Sequence, residues 1–516
     1  MTNRRGTSSA RPTSSRRRTE VITILRQKPT AVFVLLALYF LVQLAIRLVL
    51  PHSLELDEGQ QLFFAQWFAW GYDSQPPLYN WVQYGVSRLL GPNLLSLAVL
   101  KNLVLFASYL CFGLAALAIL RSRDLAIVAT LSLLTIPQIA FESQRDLTHT
   151  VAAVFAACLF LHAFLSTLKT PSVQGYALTG LAVGLGFLSK YNFVLLPGAA
   201  VIAIALDRQF RSRLLDWRIL ITGAVALIVA LPHGLWFVEH IDLATERTIG
   251  KLTSEATDSP IAQIVSGLWT FFLSFIGFAG LTIAVFGIVY RQELRAAWHA
   301  QNQWTRLLGR IMVIAAILLI VLIVFGGANH IKDRWLTPVY LILPLYLATK
   351  LEAGGVPDAP YLRRFWPIAA FALLALPIIM LVRIPIHGMI GRYEKLNVDY
   401  PSAISQILAS SPAKPSIVLT TDTQLAGNIR LSAPTLLVTV DGYEVLDKDF
   451  TADDGQPVLA IWRDRGLPGP SLPDDMARWL NAHGLAVPAQ VHDIAVPYIF
   501  GRQGDLYHFA YAFIYP

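Results

Sequence analysis

The residues with chemical content fall in a few short stretches. The first is Glu55-Leu56-Asp57-Glu58, followed by Gln60-Gln61-Leu62-Phe63-Phe64 and Trp67, then by Asp73-Ser74-Gln75-Pro76-Pro77-Leu78-Tyr79 and Trp81. Adjacent carboxylates at a membrane boundary are costly if they face lipid, so they are expected to point into a protein cavity and meet a polar partner there. A plainer role is open to Asp57 as well, the capping of the helix that follows it. The second stretch is Phe141-Glu142-Ser143-Gln144-Arg145-Asp146, with His149 one turn into the next helix. Asp146 suits a helix start on electrostatic grounds alone and also stands beside Arg145 as an ion-pair partner. His149 is either a packed histidine or, as an ionisable group in a span, a functional one. Lys190, Lys332 and Arg334 complete the set, with snorkelling lysines and solvated loop charges as their bland alternatives. No His/Cys/Asp cluster has metal-ligand spacing, so no cofactor is expected, although an Asp-Glu step helped by other loops leaves a divalent ion open.

These groups need elements to hold them, and composition says what kind. Of 516 residues, 55% are hydrophobic and 14% charged, with a mean hydropathy of +0.53. A soluble domain carries about a quarter charged residues, so a soluble globular enzyme is excluded. Apolar runs of bilayer length fall at 31–50, 94–120, 124–141, 147–168, 175–189, 191–206, 219–238, 264–290, 308–325, 336–349 and 365–382, which predicts about 11 transmembrane helices. The two members flanking Lys190 are short and could be one broken segment. Residues 1–30 read as a disordered basic cytoplasmic tail, and 31–383 as a polytopic membrane domain whose first outer loop spans 51–93. The first span has no small-residue cleavage site after it, so it is a retained anchor.

Loop charges test this layout. Alternating sidedness puts Arg121, Arg123, Lys169, Arg208, Arg211, Arg213, Arg218, Arg291, Arg295, Arg306, Arg310, Lys350, Arg363 and Arg364 with the basic tail, as cytoplasmic loops require. The net charge of +8 is thereby explained without nucleic acid. The acids and cations of the first paragraph all come to the opposite, outer boundary. After Arg383 the composition becomes ordinary, and strand-like segments at Ser416–Thr420, Thr435–Val440, Pro457–Trp462 and Tyr507–Ile514, with a helix at Asp474–Ala482, indicate a small extracytoplasmic α/β domain over 384–516. The fold class is thus an all-α polytopic membrane protein with a C-terminal α/β domain.

Three of these motifs, in this order, resemble a known family. Asp57-Glu58 with Gln75-Pro76-Pro77-Leu78-Tyr79 is similar to the first outer loop of the type-C (GT-C) glycosyltransferases, in particular the family 39 protein O-mannosyltransferase and aminoarabinose (lipid A) transferase superfamily. Gly184-Leu185-Gly186-Phe187-Leu188-Ser189-Lys190-Tyr191 resembles its glycine-rich helix ending in Lys, and Lys332-Asp333-Arg334-Trp335-Leu336-Thr337-Pro338 its turn before a late helix. Gln75 and Gly59-Gln60-Gln61 depart from the family pattern, which bears on the sugar and acceptor. The resemblance implies transfer of a sugar from a polyprenyl-phosphate donor to an envelope glycolipid, glycan or protein on the outer face of the cell (inner) membrane, with inversion at the anomeric centre. It implies Asp57 as general base for the acceptor hydroxyl, Glu58 and Asp146 as supporting acids, and Lys190, Lys332 and Arg334 as ligands of the departing lipid phosphate. Gln75, Tyr79, Arg145 and His149 are further substrate-binding candidates. The rival class is a polytopic transporter or lipid-linked-sugar flippase, whose cavity would also hold charges; no internal repeat supports it.

Overall fold

The computed structural model describes residues 14–515 other than 244–258, 356–359, 412, 444–445, 447–449, 451–454 and 465–470. The membrane part comprises α1 (Ser14–Gln27), α2 (Ala31–Val49), α3 (Leu56–Phe64), α4 (Leu78–Leu90) and α5 (Leu94–Ile119). A bent pair, Arg123–Thr135 and Gln138–Arg145, follows. Then come α6 (Thr148–Lys169), α7 (Val173–Ser189), α8 (Leu195–Ala205), α9 (Ile219–Glu239), α10 (Pro260–Val289), α11 (Gln303–Gly326), α12 (Asp333–Tyr340), α13 (Leu343–Ala353) and α14 (Tyr361–Met389).

By length and composition, 7 of the described helices can cross a bilayer, or 8 if the bent pair is one span. The other apolar runs read from the sequence are present as shorter or interrupted helices, among them Val173–Ser189 and Tyr191–Ala205. Lys190 adopts an extended conformation that separates α7 from the turn leading into α8, and the 336–349 run divides between α12 and α13. The bend of 70° in the pair lies at Ile136-Pro137, where proline withholds a backbone donor and the helix re-forms as a π turn over Gln138–Glu142. The expected disordered tail is also corrected: Ser14–Gln27 is helical, Ile22 and Leu25 are buried, and Arg26 pairs with Asp124 at 2.7 Å. Residues 1–13 of that tail lie outside the described residues. Likewise α14 runs past the expected boundary at Arg383 to Met389.

Burial ranks the helices. The apolar window of α6 is 78% buried, whereas that of α9 is 6% buried, so α6 is the central post and α9 faces lipid. The α7/α9 contact relies on small residues, the usual way to bring helices close in a bilayer: a Cβ on Gly180 would lie 2.4 Å from the Thr222 carbonyl oxygen.

The C-terminal domain contains α15 (Tyr400–Ala409), β1 (Ile417–Thr420), α16 (Thr423–Ser432), β2 (Leu437–Val440), β3 (Val458–Arg463), α17 (Asp474–Ala482), β4 (His492–Pro497) and β5 (Leu506–Ile514). Its sheet has the order β2-β1-β3-β5-β4. β1 is parallel to β2 and to β3, and β5 is antiparallel to β3 and β4. Helices cover both faces: α15 and α16 pack with Val418 and Leu459 on one, and α17 packs with Ile417 and Val458 on the other.

This domain is built onto the first loop. α16 lies against α3 at a glycine-to-glycine contact, where a Cβ on Gly427 would fall 2.1 Å from the Gly59 carbonyl oxygen and one on Gly59 would fall 2.7 Å from Gln424 Cα. The Leu54 N–H donates to Asn428 Oδ1 at 3.0 Å, and Gln424 Nε2 donates to the Leu54 carbonyl at 2.7 Å. The Gln66 amide makes both hydrogen bonds that a strand residue would make with Val438, each 3.0 Å, on the edge strand β2. Arg383 joins Glu55 of the loop, at 2.7 Å, to Glu394.

Gly427→Ala should therefore force α16 off α3 and destabilise the protein by about 1–3 kcal/mol, the usual cost of overpacking. Thermal unfolding in detergent checks this against Gly223→Ala, whose added methyl meets nothing within 4 Å and which should unfold at the parental temperature or slightly above it.

Candidate active site

The geometry of the site begins with Glu58. It is buried in α3, and its carboxylate receives Arg47 Nη2 of α2 at 2.7 Å and Lys101 Nζ of α5 at 3.2 Å. Burial opposes ionisation, but these two cations outweigh it and hold the carboxyl well below the usual range. The same side chain also accepts the Glu55 N–H at 3.2 Å, closing the first turn of α3. Glu58 thus ties α3 to two membrane helices. It does not line the cavity, which speaks against its place among the catalytic groups as a ligand of a sugar hydroxyl and leaves the positioning of Asp57 as its supporting part.

Successive helical residues project about 100° apart, so with Glu58 turned inward Asp57 faces the other way. Asp57 Oδ2 accepts the Thr148 N–H at 2.9 Å, at the start of α6, and Asp146 Oδ1 accepts the Asp57 N–H at 3.0 Å, at the start of α3. Each acid caps the other's helix. The exchange is possible because Leu147, between Asp146 and Thr148, adopts a left-handed conformation with φ 60° and ψ 48°, at a steric cost of about 1 kcal/mol. Burial, then the neighbouring Asp57 carboxylate, lift the Asp146 carboxyl well above its usual range. Asp146 consequently keeps a proton where an exposed aspartate has lost it.

Asp57 opens onto a cavity of about 510 Å³. Gln75, His149, Lys190 and Arg334 line it with Asp57, which brings together five residues singled out from the sequence. Lys190 Nζ donates to Thr150 Oγ1 at 2.8 Å. Arg334 arrives from the start of α12, which is held to α8's leading turn by Asn192 Nδ2 donating to the Trp335 carbonyl at 2.7 Å. A second cavity of about 800 Å³ shares Leu147 and Arg334 with the first and contains Arg145, His330 and Lys332 beside Leu273, Ser274 and Gly277 of α10. Arg145 pairs there with Glu142 at 3.1 Å.

The remaining expectations fare differently. Lys332 is in the second cavity, not beside Asp57. Tyr79 is buried and lines neither cavity. Among the described residues no group of three or more His, Cys, Asp or Glu could hold a metal ion.

Other lining residues had no role assigned from the sequence. Gln60, Asp73 and Ser74 belong to the first-loop stretches and Trp335 to the turn motif quoted above, while Thr150, one residue beyond His149, was not singled out. Thr421, Asp422, Thr423, Asp441 and Tyr443 come from the C-terminal domain, and no local pattern marks them.

Residues 74–236 match the family described as dolichyl-phosphate-mannose-protein mannosyltransferase. The chain is similar along nearly its whole length to two proteins of Rhizobium johnstonii. Lipopolysaccharide core galacturonosyltransferase RgtB is 44% identical over 484 residues, 94% of this chain and 97% of that protein. Lipopolysaccharide core galacturonosyltransferase RgtA is 37% identical over 485 residues, 93% and 97% of the two chains. In fold the chain is similar to ArnT of Cupriavidus metallidurans, with a TM-score of 0.57 to the apo state and 0.52 to the form bound to undecaprenyl phosphate. Both alignments have 17% identity and cover 93% of this chain and 97% of ArnT.

The raised Asp146 has a pH signature. Its folded-state value lies above its unfolded value, so its contribution to stability is complete below about pH 4 and is lost as pH rises toward the folded value. Asp146→Asn keeps the oxygen that accepts the Asp57 N–H and removes the titration. In thermal unfolding at a series of pH values, the variant should gain on the parent as pH is raised above about 4.

Proposed function

The chain belongs to the type-C glycosyltransferase family that includes the lipopolysaccharide core galacturonosyltransferases, and we propose that it transfers a galacturonosyl residue from a polyprenyl-phosphate donor to a sugar of the lipopolysaccharide core. The chain is a multi-pass membrane glycosyltransferase, and the transporter reading is set aside because the whole-length relatives are transferases. The sugar and acceptor follow the names of those relatives, and a lipid-phosphate donor is in keeping with the undecaprenyl phosphate bound by ArnT.

The observation that carries the mechanism is a carboxylate and two cations on one cavity: Asp57 with Lys190 and Arg334. The acceptor hydroxyl gives its proton to Asp57 as its oxygen bonds to the anomeric carbon, and the bond from that carbon to the phosphate oxygen breaks. Charge grows on the departing lipid phosphate, where Lys190 and Arg334 stabilise it more in the transition state than before it. The Thr148 N–H aims the carboxylate. Glu58 acts through the placement of α3.

The second cavity gives the donor its approach. Leu273 and Gly277 belong to α10, whose apolar window is only 22% buried, so a lipid phosphate reaches Arg334 from the bilayer side past Arg145 and Lys332. A polar head on a long chain needs a site of this kind, apolar on one flank and cationic on the other. The basic residues gathered in one set of loops support a cytoplasmic N-terminus, with the site and the C-terminal domain on the periplasmic side of an inner-membrane protein.

Reconstituted protein, polyprenyl-phosphate galacturonic acid and core oligosaccharide test the reading directly. Asp57→Asn should lower transfer about 100- to 10,000-fold, and Lys190→Ala should raise the donor concentration needed for half-maximal rate. Equal rates for parent and Asp57→Asn would remove Asp57 as the base. Sidedness is checked after replacing Cys111 and Cys158: an impermeant thiol reagent should label a cysteine at Gly442 in intact spheroplasts and one at Ser212 only after lysis.

A further inference from the structure

We infer that the carboxyl edge of the parallel strands in the C-terminal domain is the acceptor-binding wall of the catalytic cavity, with Thr421 and Asp441 receiving hydroxyl groups of the acceptor sugar. The inference rests on the transferase reading and adds to it which part of the chain selects the acceptor.

The first observation is topological. Thr421 directly follows β1 and Asp441 directly follows β2, and both line the cavity that contains Asp57. In open α/β sheets, ligands bind in the crevice beyond the carboxyl ends of parallel strands. Here that edge is not free in solvent but aimed at the general base, because Gly59 and Gly427 bring α3 and α16 into backbone contact.

The second observation is rigidity. Asp422 caps α16, accepting the Gln424 and Leu425 N–H groups at 3.0 Å each, and Arg463 at the end of β3 pairs with it. Tyr443 lines the same wall, with its ring 5.1 Å from Phe63 and 5.7 Å from Phe64. The wall therefore presents hydroxyl and carboxylate groups beside a fixed aromatic ring, at positions held by both domains. Fixed polar groups around an apolar surface are what orients a small polar ligand.

The third observation is the distribution of charge. Lys190 and Arg334 enter the cavity from the membrane helices, while the described lining from the C-terminal domain contains Asp422 and Asp441 and no Lys or Arg. An anionic donor is drawn to the first wall and repelled by the second, and a sugar ring offering hydroxyl donors suits the second. His149 of α6 lines the same cavity, buried, with no partner for Nδ1 among the described residues.

The experiment measures equilibrium binding of core oligosaccharide to the full-length protein, separately from turnover. Asp441→Asn and Thr421→Val should each weaken oligosaccharide binding roughly 10- to 100-fold, the effect of losing a hydrogen bond in which one group is charged or left unpaired. Arg478→Ala removes the partner that Asp441 meets at 3.3 Å on the exposed side and should leave binding unchanged. The donor concentration for half-maximal rate should be the same in all three. Parental oligosaccharide binding in both Asp441→Asn and Thr421→Val, or a parent that does not bind the oligosaccharide, overturns the inference. Failure of the transferase reading would look different: oligosaccharide bound and sensitive to Asp441, with no sugar transferred.

Discussion

A fully buried carboxylate between two cations is the constraint on which the site depends. Glu58 in an apolar setting would be prohibitive alone, and Arg47 and Lys101 would each be costly without it. Together they leave α3 one orientation against α2 and α5. Asp57 is adjacent in sequence, so its direction follows from that orientation. Such a triad contributes little net stability by comparison with apolar packing; what it supplies is a unique register. The paired helix caps of Asp57 and Asp146 then fix the remaining freedom, drawing the starts of α3 and α6 together across a strained Leu147.

The same local economy governs the cations. Lys190 ends a helix in extended backbone, and Arg334 begins one. Helix ends are where a polar side chain can leave an apolar bundle without breaking its hydrogen bonds. That is why the chemically useful residues sit at interruptions in the apolar runs.

Those interruptions were also what made the site legible in the sequence. Asp57, His149, Lys190 and Arg334 could be named because each is a polar residue in or beside a long apolar stretch, where polarity has to be explained, and Gln75 because it opens the first-loop motif that resembles the family. The long helices were legible for the complementary reason, and α17 coincides with the helix read at Asp474–Ala482. Other features had no such contrast. The resemblance separates Asp57 from Glu58, but that Arg47 and Lys101 meet Glu58 is a fact of space that the sequence does not carry. Lys332 and Arg334 look like one pair, yet they open onto different cavities. α16 contains glycine and asparagine, poor helix formers, because tertiary contact with α3 needs Gly427 and Asn428 there. β4 is a polar edge strand ending in proline, without the apolar alternation that announces a strand. Interdomain walls are hardest of all, since Thr421 and Asp441 acquire meaning only from a surface more than three hundred residues away in the chain.

The Gln66 side chain has a consequence for assembly. An edge strand normally offers its unpaired N–H and C=O groups to any extended segment that comes near. At β2 the pair belonging to Val438 is already taken by an amide from the first loop. A foreign strand adding to that edge would have to evict Gln66, and with it loosen the helix that bears Asp57. Strand-exchange oligomers through β2 are thereby coupled to loss of the catalytic loop, so a functional enzyme keeps that edge monomeric.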